Sequence, residues 1–131
     1  MLKNLIILIC FAVLVSGCSK KDKKEIIASP IDEREEVQKI YNEAVIALKK
    51  GDAYFASKKF KEAEGFYPSS EWAAKAALMS AFALYSANFY SDSIFNLERY
   101  IKQYPSDKNI PYAHYLIGIC YYEQILDEKK D

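Results

Sequence analysis

The side chains with the most chemical reach are three cysteines and one histidine: Cys10, Cys18, Cys120 and His114. A closed zinc site needs about four such ligands, and a hydrolytic triad needs a histidine between a nucleophile and a carboxylate. No second histidine, nearby cysteine or carboxylate pair completes a site around His114, so it reads as a packing or capping residue. No metal site, no cofactor and no catalytic residue are expected. Cys18 is different. It follows the small residues Ser16 and Gly17 at the end of an apolar run, where a peptidase cut would leave its thiol on a new N-terminal residue.

The elements around Cys18 support that chemistry. Met1 to Asn4 carry one positive charge, and Leu5 to Val15 form an uninterrupted apolar run of eleven residues. That run is too short to span a bilayer, which needs about 20 residues, but suits the core of a signal peptide. Leu14-Val15-Ser16-Gly17-Cys18 resembles a bacterial lipobox. The resemblance implies cleavage between Gly17 and Cys18, a diacylglycerol thioether on the thiol and acylation of the new amine. Several acyl chains anchor a protein firmly where one alone does not. Ser19 stands where Asp would favour the inner membrane in Gram-negative sorting, which points to the outer membrane. Residues 1–17 are thus read as signal peptide and 18–30 as acylated cysteine plus charged tether. Cys120 is left as the free thiol of the mature chain, safest when buried. An ordinary signal peptide with an incidental cysteine is the plainer alternative.

The rest of the chain is built for helices. Its 131 residues carry 18 basic and 18 acidic side chains, a balance that argues against a nucleic-acid partner. Four glycines and four prolines are few breakers, and 15% aromatic residues exceed what a disordered chain holds. Val37, Ile40, Tyr41, Ala44, Val45 and Leu48 recur at three- and four-residue steps, making one apolar stripe. Gly51-Asp52 breaks it. Further helices are expected from Tyr54 to Phe66, Glu71 to Ala87, Tyr90 to Gln103 and near Pro111 to Leu126, with Ser69 and Ser70 as starters of the third. No stretch alternates at period two, so no strands are expected.

Phe66-Tyr67-Pro68-Ser69 and Gln103-Tyr104-Pro105-Ser106 are near copies whose prolines lie 37 residues apart. A period of that size marks a helical repeat. In a tetratricopeptide (TPR) register, Ala44 takes the small position of the first helix. Ala56, Phe60 and Ala63 take the small, large and small positions of the second. Small residues let paired helices approach closely, and the large one fills the wedge between repeats. In the next unit Ala81, Ser93 and Leu97 fit, whereas Tyr100 is too big for its slot, which makes that repeat looser. Ile117-Gly118 and Tyr121 open a third unit. The fold class is therefore all-α: about two and a half TPR-like repeats in five helices over residues 31–131. A plain five-helix bundle is the competing architecture.

The lipobox, the charged tether and two long TPR segments together resemble the BamD family of outer-membrane lipoproteins. The most specific element is Tyr104-Pro105-Ser106 followed by Tyr112-Ala113, Tyr115-Leu116 and Gly118. Members of that family run on past the point where this chain stops. The resemblance implies a scaffold at the periplasmic face of the outer membrane, within the machinery that assembles β-barrels. It implies as partners a BamA-like barrel protein, other assembly lipoproteins and the C-terminal aromatic segments of unfolded outer-membrane proteins. In the family the missing later repeats dock the barrel protein. A generic TPR adaptor lipoprotein serving periplasmic cell-wall enzymes is the alternative.

First helices of TPR units line a concave face. The register puts Tyr41, Val45 and Leu48 there in the first unit, Leu78, Phe82 and Tyr85 in the second, and Tyr112, Tyr115, Ile119 and Tyr122 in the third. Tyrosine supplies contact area at low entropic cost, so the groove suits an extended aromatic peptide. About half of these side chains are expected in the core. Trp72 is expected to pack on the preceding turn, and Lys58, Lys59, Lys61 and Glu62 to form a solvated outer face. The fifth helix is expected to expose Tyr121, Tyr122 and Ile125, which favours association of the chain.

Overall fold

The computed structural model describes residues 30–128. The signal peptide, Cys18 and the tether before Pro30 lie outside the described residues. Five helices follow one another: α1 (Pro30–Lys49), α2 (Ala53–Phe66), α3 (Glu71–Ser86), α4 (Tyr90–Gln103) and α5 (Ile110–Glu128). No strand occurs among the described residues. Pro30 belongs to α1 rather than to the tether, as suits a residue whose fixed φ and missing N–H cost nothing at a helix start. The fold is the expected all-α, TPR-like array.

Each helix packs mainly on its chain neighbours, with a weaker contact of α1 on α3. That nearest-neighbour pattern is the signature of a stacked repeat. Two apolar centres result. Val37, Ile40, Tyr41, Ala44, Ala56, Phe60, Ala63, Ala76 and Ala83 join α1, α2 and α3. Ala77, Leu78, Ala81, Leu97, Tyr100, Ala113 and Leu116 join α3, α4 and α5. Helix α3 therefore serves both centres, and its alanines permit close approach from each side.

The turns inside the two repeats share one geometry. Gly51 has φ +86°, the Gly51 N–H donates to the Leu48 carbonyl at 3.0 Å, and the Asp52 N–H donates to the Ala47 carbonyl at 3.0 Å. Thirty-seven residues on, Asn88 has φ +62°, its N–H donates to the Tyr85 carbonyl at 3.0 Å, and the Phe89 N–H donates to Leu84 at 3.0 Å. Both are Schellman closures, which require a left-handed residue; Gly adopts it freely and Asn tolerates it. Asp52 then caps α2 by accepting from the Phe55 N–H at 3.1 Å.

The corners between repeats differ. Ser70 occupies the N-cap position of α3 but makes no side-chain cap; its hydroxyl turns back to the Tyr67 carbonyl at 2.7 Å. In the second corner Tyr100 is fully buried, contrary to the expectation of a loose fit. Its hydroxyl donates to Asp107 Oδ1 at 2.7 Å, so the oversized ring keeps its polar tip satisfied at the edge of the loop. Asp107 Oδ1 also accepts from the Asn109 backbone and side-chain nitrogens at 2.8 and 3.0 Å. Burial opposes the Asp107 charge, but these donors outweigh it and hold the carboxyl below its ordinary range.

A polar clamp ties the repeats together. Arg99 of α4 donates to both carboxylate oxygens of the buried Glu64 on α2, at 2.6 and 2.7 Å, and the Tyr104 hydroxyl adds a third bond at 3.0 Å. Burial, with the Glu64 carboxylate beside it, pushes the Tyr104 phenol up to about 12. Lys59, expected on a solvated face, is half-buried and bridges Glu62 of its own helix and Glu43 of α1 at 2.9 and 3.4 Å.

Candidate functional site

The repeat of 37 residues aligns the candidate groove into rows across α1, α3 and α5. Tyr41, Leu78 and Tyr115 form one row, Val45, Phe82 and Ile119 the next, and Leu48, Tyr85 and Tyr122 the last. Tyr112 aligns with Lys75. Depth is unequal along these rows. Tyr41 and Leu78 are 6% and 8% exposed and belong to the two apolar centres, so they back the groove rather than line its surface. Val45, Leu48, Phe82, Tyr85 and Ile119 are half-buried. Tyr112, Tyr115 and Tyr122 stand exposed, at 41%, 64% and 57%.

Tyr41 is deep because α3 folds over it. Its ring meets Phe60 edge-on at 5.0 Å and Trp72 at 5.2 Å. Trp72 thus packs on α1, not only on the turn before it. Burial raises the Tyr41 phenol above its ordinary value. The aromatic surface that remains is gathered at α3 and α5. Phe82 and Tyr85 ring centroids lie 6.1 Å apart, Tyr85 and Tyr90 6.1 Å, and Tyr112 and Tyr115 6.4 Å. Burial raises the Tyr112 phenol, and the neighbouring Tyr85 and Tyr115 phenols add to that. The structure therefore brings Phe82, Tyr85, Tyr112 and Tyr115 into one neighbourhood and leaves Tyr41 apart from it.

Two features of this face escaped the sequence reading. Lys75 sits with Nζ 4.9 Å from the Tyr41 ring centroid and 4.8 Å from that of Trp72, a position that a cation takes over aromatic faces. Beside it, a cleft of about 690 Å³ runs between the start of α3 and the α4–α5 loop, lined by residues that include Trp72, Lys75, Asp107 and Lys108. Elsewhere, His114 is exposed, which corrects its expected packing role. Cys120 is fully buried with its thiol pushed up by burial, as expected of a core thiol. Tyr121 and Ile125, like Tyr122, are exposed.

Fold and face together define a TPR-like helical-repeat protein with aromatic side chains gathered on α3 and α5. The chain belongs to the YfiO family of outer membrane lipoproteins, whose model matches residues 33–131. It is 36% identical over 120 residues to the outer membrane protein assembly factor BamD of Caulobacter vibrioides, covering 92% of this chain and 38% of that protein. It is 32% identical over 130 residues to the BamD of Rickettsia prowazekii, covering 98% of this chain and 49% of that one. With the BamD of Xylella fastidiosa strain Temecula1 the identity is 30% over 115 residues, covering 88% and 38%. The chain thus spans less than half the length of these relatives. No solved structure gives a significant match.

Proposed function

We propose that this chain is a lipid-anchored scaffold component of the outer-membrane β-barrel assembly complex. It acts by binding and carries no catalysis. Its acylated Cys18 holds it at the periplasmic face of the outer membrane, and the tether lets the repeats stand off the bilayer. Its aromatic face takes C-terminal aromatic segments of unfolded outer-membrane proteins, with a BamA-like barrel protein and other assembly lipoproteins as further partners. The single observation that supports the reading most is the convergence of Phe82, Tyr85, Tyr112 and Tyr115 on one face, in a chain similar to named assembly factors. Aromatic side chains of an incoming peptide would bury area against these rings at low ordering cost. The test is affinity capture of the native gene product from detergent-solubilised envelopes. Recovery of a barrel protein with periplasmic domains, together with small lipoproteins, is expected. Recovery of cell-wall enzymes and no barrel protein would overturn the reading in favour of a generic TPR adaptor.

A further inference from the structure

Helices α2 and α4 are joined toward their C-terminal ends, where Arg99 clamps Glu64 at 2.6 and 2.7 Å. Toward their starts a cleft of about 390 Å³ opens between them, lined by Tyr54, Lys58 and Lys61 of α2, Asp92 and Asn96 of α4 and Leu84 of α3. The Tyr54 and Phe89 rings, 6.5 Å apart, mark its other rim. Asn96 is 3% exposed. Its Nδ2 donates to the Asp92 carbonyl at 2.6 Å, which fixes the orientation of the amide, and its Oδ1 is buried without a hydrogen-bond partner. The Ser57 hydroxyl on the same cleft is taken up by Ser80 at 2.9 Å. In the first unit the aligned residue is Lys59, whose ammonium meets Glu62 and Glu43 at 2.9 and 3.4 Å. The second unit leaves that position unanswered. A buried carbonyl oxygen without a donor carries its full desolvation cost, so the site gains from an N–H brought to it. Above it, Lys58 and Lys61 are exposed and in none of the ion pairs among the described residues, with Lys58 Nζ 4.8 Å from the Tyr54 ring centroid. Asp92 is the opposing charge on the cleft.

We propose that the α2–α4 cleft docks an acidic turn of a partner polypeptide, with an Asp or Glu side chain between Lys58 and Lys61 and a neighbouring backbone N–H donated to Asn96 Oδ1. The two lysines select an anion. The orphaned oxygen selects a ligand that carries a donor close to that anion, which an acidic residue in a peptide does and a bare carboxylate does not. Tyr54, Lys58 and Lys61 belong to neither apolar centre, so they turn aside without disturbing the core and open the floor of the cleft. The site lies on α2 and α4 and stands independently of the aromatic face on α3 and α5.

The test is a nuclear magnetic resonance titration of the purified, isotope-labelled chain, in which the Asn96 side-chain amide reports directly on the floor of the cleft. The probe is a short peptide, capped at both ends, with one Asp between glycines. One control peptide carries Asn in place of the Asp, a second carries a methyl group on the Asp backbone nitrogen, and acetate supplies the carboxylate alone. The acidic peptide is expected to shift the Asn96 amide and to bind about tenfold tighter than either control, the scale of one charge-assisted hydrogen bond. Lys58→Gln combined with Lys61→Gln should bring its affinity down to that of the Asn control. Asn96→Ala should erase the penalty of methylation. The lysines are exposed, and the methylated peptide probes the Asn96 bond in the unaltered chain, so the test stands even where Asn96→Ala unfolds. Equal binding of the methylated peptide, or equal shifts with acetate, would reduce the cleft to a plain anion site and overturn the proposal. So would an Asn96 amide that does not move with the acidic peptide. Shifts with phosphatidylglycerol vesicles and none with the peptide would assign the lysines to lipid and overturn it as well.

Discussion

The two Tyr-Pro-Ser corners carry nearly the same sequence and solve different packing problems. At the first, Ala63 fills the small slot and Ser70 folds back to the Tyr67 carbonyl. At the second, Tyr100 fills the aligned slot and Asp107, aligned with Ser70, receives its hydroxyl. The ring is not a misfit tolerated by slack. It is fully buried because the loop supplies an acceptor where its tip emerges. One slot can therefore hold the smallest or nearly the largest side chain, provided that the residue seven positions later changes with it.

The largest effect should come from removing the second solution. Tyr100→Ala leaves a cavity against Leu97, Ala113 and Leu116 and strips Asp107 of a donor, at about 3–5 kcal/mol in urea unfolding. A loss under about 1 kcal/mol would show that the corner collapses around the gap. A smaller effect should come from forcing the second solution on the first corner. Ala63→Tyr should cost about 1–3 kcal/mol by overpacking. Adding Ser70→Asp should recover part of that loss; if the double variant is no better, the pairing of slot and loop does not transfer.

The smallest effect is in the pH profile, and it separates the corners without large damage to either. Asp107 titrates below its ordinary 3.8, so its contribution is present above about pH 4 and fades as pH falls through the folded value. Tyr100→Phe removes one of the donors that hold it down, and should flatten this acid arm. Tyr104 is pushed from 10.0 to about 12, so its contribution is present below pH 10 and is lost as pH climbs from 10 toward 12. Tyr104→Phe should blunt that alkaline arm in thermal melts taken across the range. Ser70 does not titrate, so the first corner adds no acid arm of this kind.

The helices were legible because their stripes, breakers and prolines repeat with a fixed period. Gly51 announced its turn; Asn88 did not, since Asn adopts a left-handed conformation only where the surrounding closure favours it. The 37-residue period lays the candidate groove residues out in rows but does not give their depth. Tyr41 and Tyr115 occupy the same register position, yet one lies under Trp72 and Lys75 and the other is open. Depth depends on what the neighbouring unit lays over a residue, and no local pattern encodes that. Glu64 and Arg99 stand 35 residues apart on different helices, so spacing alone could not pair them.

The alanines of α3 have a consequence for how the molecule breathes. Ala76 and Ala83 face one apolar centre, while Ala77 and Ala81 face the other. Unzipping from the α1 end or from the α5 end therefore exposes only one side of α3, and the remaining partner still protects its amides. Hydrogen exchange should be slowest at Ala76 to Leu84 and quicken toward both ends of the array. The middle helix, poorest in large side chains, would be the last to open.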